Sequence, residues 1–289
     1  MVRAIMNQST KPAAAAGTIR LGDLTVNRLG FGAMRVCGPS IWGPPKDGAG
    51  ALRVLRRAFE LGHTFFDTAD SYGPDVSEIL IAEALHPYPK GLVIGTKGGL
   101  VRPTRHRWDP DGRPQHLREA LERSLKKLRG ERIDLYQLHA PDPQVPYADS
   151  VGTLAELQRA GKIRHLGVSN VTVKQLAEAR RIAPIVSVQN EYNLEHRKDD
   201  DVLAACETAG IAFIPWYPLG AGRTLRSAKV KHVAERLRAK PSRVALAWLL
   251  ARSPVMLPIP GTSSIAHLEE NAAAAGLKLP AEDVATLGA

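Results

Sequence analysis

The chain has 289 residues, of which 44% are hydrophobic and 24% charged, and this composition excludes a disordered or fibrous protein. Its two cysteines, Cys37 and Cys206, exclude a disulfide scaffold and a zinc site built from cysteines, and they suit the reducing cytoplasm. The net charge of +10 is spread over several predicted helices, which favours solvated helix faces over a nucleic-acid interface, and the longest apolar runs are too short to cross a membrane.

The chain begins with a segment, 1–17, that holds four consecutive alanines but no continuous apolar run. We therefore expect a disordered leader rather than a signal peptide. Residues 18–26 then predict a β-hairpin ahead of the main domain. After the hairpin, short apolar runs predict eight strands, at 29–31, 64–66, 92–96, 135–138, 163–167, 185–189, 212–215 and 256–259.

Amphipathic segments separate these runs and predict helices at 50–61, 77–84, 115–128, 151–159, 173–181, 200–209, 230–238 with 241–251, and 265–274. Eight unbroken βα repeats without a Pro/Gly-rich linker predict an α/β protein with one domain over 18–289, a single (β/α)8 TIM barrel carrying an N-terminal β-hairpin. An open doubly wound sheet fits eight repeats less well. The segment 101–114 is predicted to be a loop and a candidate substrate lid, whose Arg102, Arg105 and Arg107 are either solvated surface or part of the mouth.

Polar side chains follow five successive predicted strands, at the point where each strand ends. They are Asp67, Asp70, Tyr72, Lys97, His139, Ser169, Asn170, Gln189 and Asn190. Any one of them could be a helix cap or a satisfied buried group. Because the carboxyl ends of parallel strands meet at one end of a barrel, five sets in register predict a reaction centre.

At these positions the sequence resembles the aldo-keto reductases. The resemblance runs from about Thr18 to the end and is carried by RLGFG at 28–32, FDTADSYG at 66–73, DLYQLH at 134–139, GVSN at 167–170 and IPGT at 259–262. It implies a catalytic tetrad of Asp67, Tyr72, Lys97 and His139. It also implies reduction of aldehydes and ketones to alcohols by a nicotinamide cofactor, with Tyr72 as the proton donor.

The chemistry of carbonyl reduction explains these residue types. The carbonyl oxygen gains a proton, and a free phenol with a pKa of about 10 is a weak acid at neutral pH. A lysine ammonium beside Tyr72 would favour the ionised phenol, and Asp67 would keep Lys97 charged and in place. His139 would orient the carbonyl. The expected substrate contacts are Trp42, Tyr72, Trp108 and His139.

The resemblance also places the cofactor, and the absence of a Gly-x-Gly-x-x-Gly fingerprint is expected in this barrel. The implied cofactor residues are Gly32, Ala33, Met34, Asp67, Ser169, Asn170, Gln189, Trp216, Pro218, Leu219, Gly220, Ile259, Gly261, Thr262, Ser263, His267, Glu270 and Asn271. The sequence departs from NADPH-selective members, which carry Lys and Arg where it has Gly261 and His267. Backbone amides, hydroxyls and a helix N-terminus could still hold a 2′-phosphate, so we expect NADPH (NADP+) rather than NADH.

The substrate prediction is a small carbonyl compound, with pyridoxal reduced to pyridoxine as the candidate reaction, because parts of the chain resemble a bacterial branch that includes pyridoxal reductases. Two alternatives remain open: an NAD(P)-dependent alcohol or sugar dehydrogenase, and a redox-sensing regulatory subunit of the potassium-channel β type. No metal is expected, because the histidines lack convergent spacing. We expect a cytoplasmic protein without nucleic-acid or membrane partners; a monomer is compatible with the sequence, which leaves the oligomeric state open.

Overall fold

A two-stranded hairpin closes one end of the structure, a computed structural model that describes residues 11–288. Strands β1 (Thr18–Leu21) and β2 (Leu24–Asn27) pair antiparallel, with Leu21 opposite Leu24, as the sequence predicted. Leu21 and Val26 are buried in a cluster with Phe65, Leu135 and Leu257. These side chains fill the interior of a curled sheet from the hairpin side, away from the strand ends that carry polar residues.

The remaining strands are, in chain order, β3 (Phe31–Gly32), β4 (Phe65–Asp67), β5 (Val93–Gly98), β6 (Leu100–Thr104), β7 (Arg107–Pro110), β8 (Ile133–Leu138), β9 (Ile163–Ser169), β10 (Ile185–Gln189) and β11 (Ala212–Phe213). Seven of them form one parallel sheet in the order β11-β10-β9-β8-β5-β4-β3. Strands β6 and β7 pair only with each other, as an antiparallel hairpin. The order of the parallel strands follows the chain, as a closed barrel requires.

The predicted eighth strand, 256–259, closes the sheet by backbone hydrogen bonds. On one side Leu257 N donates to Phe213 O at 2.8 Å, and on the other Gly30 N donates to Pro258 O at 2.9 Å. The two backbones approach so closely that a Cβ atom on Gly32 would lie 2.6 Å from the Ile259 carbonyl oxygen. The (β/α)8 barrel with an N-terminal hairpin is therefore confirmed.

Ten α-helices of the described chain surround the barrel. They are α1 (Gly48–Glu60), α2 (Val76–Leu85), α3 (Pro114–Lys127), α4 (Tyr147–Arg159), α5 (Val173–Ile182), α6 (Asp200–Ala209), α7 (Ala228–Arg236), α8 (Pro241–Arg252), α9 (Ile265–Ala273) and α10 (Ala281–Gly288). The first nine match the predicted helical segments, and α10 was not predicted. Between residues 11 and 288, no helix combines the length and the apolarity that a membrane crossing requires.

Two segments differ from the sequence predictions. The predicted leader 1–17 is ordered from Lys11 onward: Pro12–Ala16 form a 3-10 helix, and the buried Ala13 donates its N–H to Leu61 O at 3.0 Å. The small alanine side chains allow this close packing; residues 1–10 lie outside the described residues. The predicted loop 101–114 is instead largely the hairpin of β6 and β7, followed by the start of α3.

Candidate active site

The four residues of the predicted tetrad lie together at the carboxyl end of the barrel. Lys97, at the end of β5, is fully buried, and its Nζ donates to Asp67 Oδ1 at 2.6 Å and to the Thr68 carbonyl at 2.8 Å. The same Nζ lies 3.3 Å from the Tyr72 hydroxyl. The rings of Tyr72 and His139 meet edge to face, with centroids 5.8 Å apart. The strand ends thus bring the two charges, the phenol and the imidazole into one buried group.

Asp67 is the centre of this group, because its two carboxylate oxygens accept from three side chains. Oδ1 accepts from Lys97, while Oδ2 accepts from Gln189 Nε2 at 2.8 Å and from Gln137 Nε2 at 3.3 Å. A buried carboxylate needs such partners to remain charged. Gln137 was not predicted, although it lies within the DLYQLH motif two residues before His139.

Burial and charge act on the pKa values of this group in opposite directions. Burial acts to lower the pKa of Lys97, but the interactions with Asp67 and Tyr72 outweigh it, so the pKa is raised and the ammonium stays charged. Burial raises the pKa of Tyr72, and Lys97 only partly offsets this effect. The phenol is therefore held in its protonated form, whereas the sequence analysis expected Lys97 to favour the ionised form.

Burial also keeps His139 neutral. Desolvation, with a smaller contribution from the Lys97 charge, holds the pKa of His139 well below its usual range. Its Nδ1 lies 3.4 Å from the Ser71 hydroxyl oxygen. A neutral imidazole carries one N–H, so His139 can donate a hydrogen bond into the site without adding a positive charge.

The tetrad opens into a cavity of about 300 Å³, within the range of small-molecule sites. Its predicted lining residues are Gly32, Met34, Asp67, Tyr72, Trp108, His139, Ser169, Asn170, Gln189, Trp216, Pro218, Leu219, Ile259 and Gly261. Lining residues that the sequence analysis missed are Arg35, Ile41, Leu100, Tyr217, Ala221 and Pro260. Arg35 and Tyr217 directly follow predicted residues in the chain, so adjacency was the signal that could have found them.

One wall of the cavity is built from amides and an indole. Trp216 Nε1 donates to Asn170 Oδ1 at 3.0 Å, and Asn170 Nδ2 donates to the His139 carbonyl at 2.9 Å. Ser169 Oγ donates to the Gln189 carbonyl at 2.6 Å. These bonds fix the plane of the indole, whose flat face is then available to an aromatic ring.

The other predicted cofactor residues lie outside the cavity lining. Ala33 and Gly220 are buried beside it. Thr262 and Ser263 precede α9, His267 lies in its first turn, and Glu270 and Asn271 lie in its second half. Ser264 caps the helix by accepting from His267 N at 3.4 Å. Glu270 accepts from the Ser242 hydroxyl and Asn271 is buried, whereas His267 is exposed.

The predicted substrate residues separate into two groups. Tyr72, His139 and Trp108 line the cavity, with the Trp108 and Tyr72 ring centroids 6.3 Å apart. Trp42 does not line it: its ring lies against the guanidinium of Arg102, 5.4 Å away. Across residues 11–288, no group of three or more His, Cys, Asp or Glu side chains is arranged to hold a metal ion.

The structure thus has a barrel with a buried Asp–Lys–Tyr–His group at its carboxyl end, which opens into a cavity bordered by aromatic side chains. Residues 28–289 match the aldo/keto reductase family. The chain is 51% identical to an uncharacterized oxidoreductase of Schizosaccharomyces pombe, over 96% of the chain and 91% of the relative. It is 46% identical to the pyridoxine 4-dehydrogenase of Escherichia coli, over 94% of the chain and 98% of the relative.

The fold is also similar to that of a solved member of this family. An aldo/keto reductase of Klebsiella pneumoniae, in complex with NADP and acetate, is 25% identical and superposes with a TM-score of 0.80, over 93% of each chain. The chain therefore belongs to the aldo/keto reductase family and is an NAD(P)H-dependent oxidoreductase.

Proposed function

We propose that this enzyme reduces aldehydes and ketones to alcohols with NADPH, and that Tyr72 supplies the proton. The observation that carries the proposal is the contact of Lys97 Nζ with both Asp67 and the Tyr72 hydroxyl at the base of the cavity. An acid that is protonated in the resting site and stabilised as an anion by an adjacent ammonium suits proton donation to a developing alkoxide.

The protein's part in the reaction follows from the protonation states. Tyr72 donates its proton to the carbonyl oxygen, and the positive charge of Lys97 stabilises the phenolate that remains. Asp67 holds Lys97 in place and keeps it charged. His139, neutral because it is buried, donates one N–H to the same oxygen and so orients the carbonyl. A neutral donor is suited to orientation, while the phenol gives up the proton.

The cavity fits a nicotinamide cofactor. When bound, such a cofactor supplies the hydride that reaches the carbonyl carbon. The indole of Trp216, fixed by Asn170, offers a flat face for the ring, and Ser169 and Gln189 are polar groups at the same wall. The N-terminus of α9 offers unpaired backbone N–H groups and the positive end of a helix dipole to a phosphate. The helix N-terminus supports NADPH over NADH, because NADPH alone carries a 2′-phosphate that these groups could bind.

Pyridoxal is the proposed substrate, reduced to pyridoxine. Aromatic side chains border the cavity at Tyr72, Trp108, Trp216 and Tyr217, and they could enclose a planar heterocycle. The E. coli relative is named a pyridoxine 4-dehydrogenase, and pyridoxine is the alcohol that this proposed reaction forms. That name also favours the reverse direction, so oxidation of an alcohol with NADP+ is the second candidate function.

One assay tests these proposals. The purified protein is mixed with NADPH or NADH and with pyridoxal, 4-nitrobenzaldehyde or methylglyoxal, and the absorbance of the reduced nicotinamide is followed. Loss of NADPH fastest with pyridoxal supports the mechanism and the substrate, and equal rates on all three overturn the substrate proposal alone. Cofactor binding without turnover overturns the reductase proposal and favours the redox-sensing subunit. Oxidation of pyridoxine with NADP+ that is faster than reduction of pyridoxal with NADPH favours the dehydrogenase.

We also propose that the protein is cytoplasmic, and its surface is compatible with a monomer. Its two cysteines are free thiols, and burial raises the pKa of each to about 12, so neither is poised to oxidise. Within the described part of the chain, Ile79 and Val173 are the only exposed large hydrophobic residues, and they do not form the apolar patch that a stable interface needs.

A further inference from the structure

Arg102 is a buried cation in a hairpin whose other arginines are exposed. It lies on β6 and is only 7% exposed, while Arg105 and Arg107 face solvent. In the described residues Arg102 forms no salt bridge with a carboxylate. Burying a charge without a counter-ion costs free energy unless other polar or aromatic groups stabilise it. The contacts of the Arg102 guanidinium therefore show which parts of the chain it holds together.

The compensation comes from carbonyl dipoles and ring faces. The guanidinium donates to the Ile41 carbonyl at 3.0 Å, to the Ser40 carbonyl at 3.4 Å and to the Arg105 carbonyl. Its carbon lies 3.7 Å from the centre of the Trp108 ring and 5.4 Å from that of Trp42. The planar fork thus joins two elements that are about sixty residues apart in sequence: the loop between β3 and α1, and the β6–β7 hairpin.

The loop that Arg102 holds is strained. Ser40 and Ile41 both have left-handed backbones, with φ of 60° and 57°, and this conformation is rare for a β-branched residue. Strain of this kind persists only where surrounding contacts impose it. The carbonyls of these two residues are two of the three that accept from Arg102.

Two of the residues that Arg102 contacts face the reaction centre. Ile41 and Trp108 line the cavity, and they pack in one apolar cluster with Tyr72. We propose that Arg102 is a positioning residue: by holding Ile41 and Trp108 in place it shapes the substrate-side wall of the cavity and sets the affinity for large aromatic carbonyl compounds. This inference rests on the proposed reductase function, and it assigns Arg102 no contact with the reacting atoms.

Steady-state kinetics test the role. Arg102→Ala is expected to raise KM for 4-nitrobenzaldehyde at least tenfold and to change kcat less than threefold. The KM for methylglyoxal should change less than threefold, because this smaller aldehyde contacts less of the cavity wall. Arg102→Lys is expected to behave like Arg102→Ala, since an ammonium cannot reproduce the planar fork. Arg105→Ala removes the same charge from the same hairpin and is the matched control, expected to match wild type.

Hydrogen exchange followed by mass spectrometry gives a readout that needs no turnover. In Arg102→Lys we expect at least tenfold faster exchange in 38–44 and 100–110 than in wild type or Arg105→Ala, with the rest of the chain unchanged. Unchanged exchange in these two segments overturns the inference. A fall in kcat with both aldehydes and an unaltered KM also overturns it, because that result would place Arg102 in the reaction itself. If wild-type protein reduces neither aldehyde, the proposed function fails, and the exchange measurement still decides whether Arg102 orders the wall.

Discussion

Tyr72→Phe removes a single oxygen atom, the one that lies 3.3 Å from Lys97 Nζ. A positioned general acid contributes about 10²- to 10⁴-fold to a rate, so we expect kcat to fall by roughly 10³-fold. NADPH affinity, measured by the quenching of tryptophan fluorescence, should change little, because the ring and its packing remain.

The control for this change is Tyr147→Phe, which removes a hydroxyl from α4, away from the cavity. That hydroxyl is buried and has no hydrogen-bond partner in the described residues, so its loss should leave kcat unaltered. If Tyr72→Phe retained more than a tenth of the wild-type kcat, Tyr72 could not be the proton donor.

The site residues that could be predicted from the sequence are those at the carboxyl ends of the barrel strands. Asp67 ends a barrel strand, Lys97 is the second-last residue of one, and His139 directly follows one. The alternation of strands and helices is enough to bring such ends together. Trp42 was predicted as a substrate contact, and its ring lies against Arg102, sixty residues later in the chain, outside the cavity lining. A contact between residues so far apart in the chain cannot be predicted from a local sequence pattern.

At the scale of elements, the βα repeats of the barrel were predictable from the sequence, whereas the β6–β7 hairpin and helix α10 were not. The bounds of β10 and α6 match the prediction, because Pro184 and Asn190 bound the first element and Asp199 and Gly210 bound the second. The β6–β7 hairpin was predicted as a loop because Leu100–Pro110 contains two prolines and mostly polar side chains. Its order comes from contacts with the loop after β3, which a single-sequence pattern does not report.

The start of α9 is the element on which the cofactor preference depends. Thr262 Oγ1 accepts from Ser264 N at 3.0 Å, and Ser264 Oγ caps the helix, so the turn is preorganised. His267→Arg would add a permanent charge in the first turn, at an exposed position. A charge-assisted bond to a 2′-phosphate is worth about 1.5 kcal/mol, so the preference for NADPH over NADH should rise about tenfold.

This preference is measured as the ratio of kcat/KM with the two cofactors. His232→Arg, the same substitution at an exposed position on α7, controls for the added net charge and should leave the ratio unaltered. An unchanged ratio in His267→Arg would mean that the adenosine phosphate does not lie at the start of α9.

At the scale of the whole molecule, buried ionisable groups make stability depend on pH in two opposing ways. His63 is fully buried, its Nδ1 bonds to the Leu29 carbonyl at 2.9 Å, and burial lowers its pKa to about 4. Between pH 4 and 6.5 the unfolded chain therefore binds a proton at His63 that the folded protein does not, and stability falls as pH falls. Burial instead raises the pKa of Asp70 and Glu78, so their protonation favours the folded state as pH falls.

A variant isolates the contribution of His63 from these opposing groups. With a pKa of about 4 in the folded protein and 6.5 when unfolded, His63 should lower the free energy of unfolding by about 2 kcal/mol between pH 7 and pH 5. His63→Gln keeps an N–H that can reach the Leu29 carbonyl but does not titrate, so urea unfolding should show that much less loss of stability over the same interval. His232→Gln, at an exposed site on α7, should follow wild type at both pH values. Equal losses in wild type and His63→Gln would mean that His63 is protonated in the folded protein at pH 5, or has access to water there.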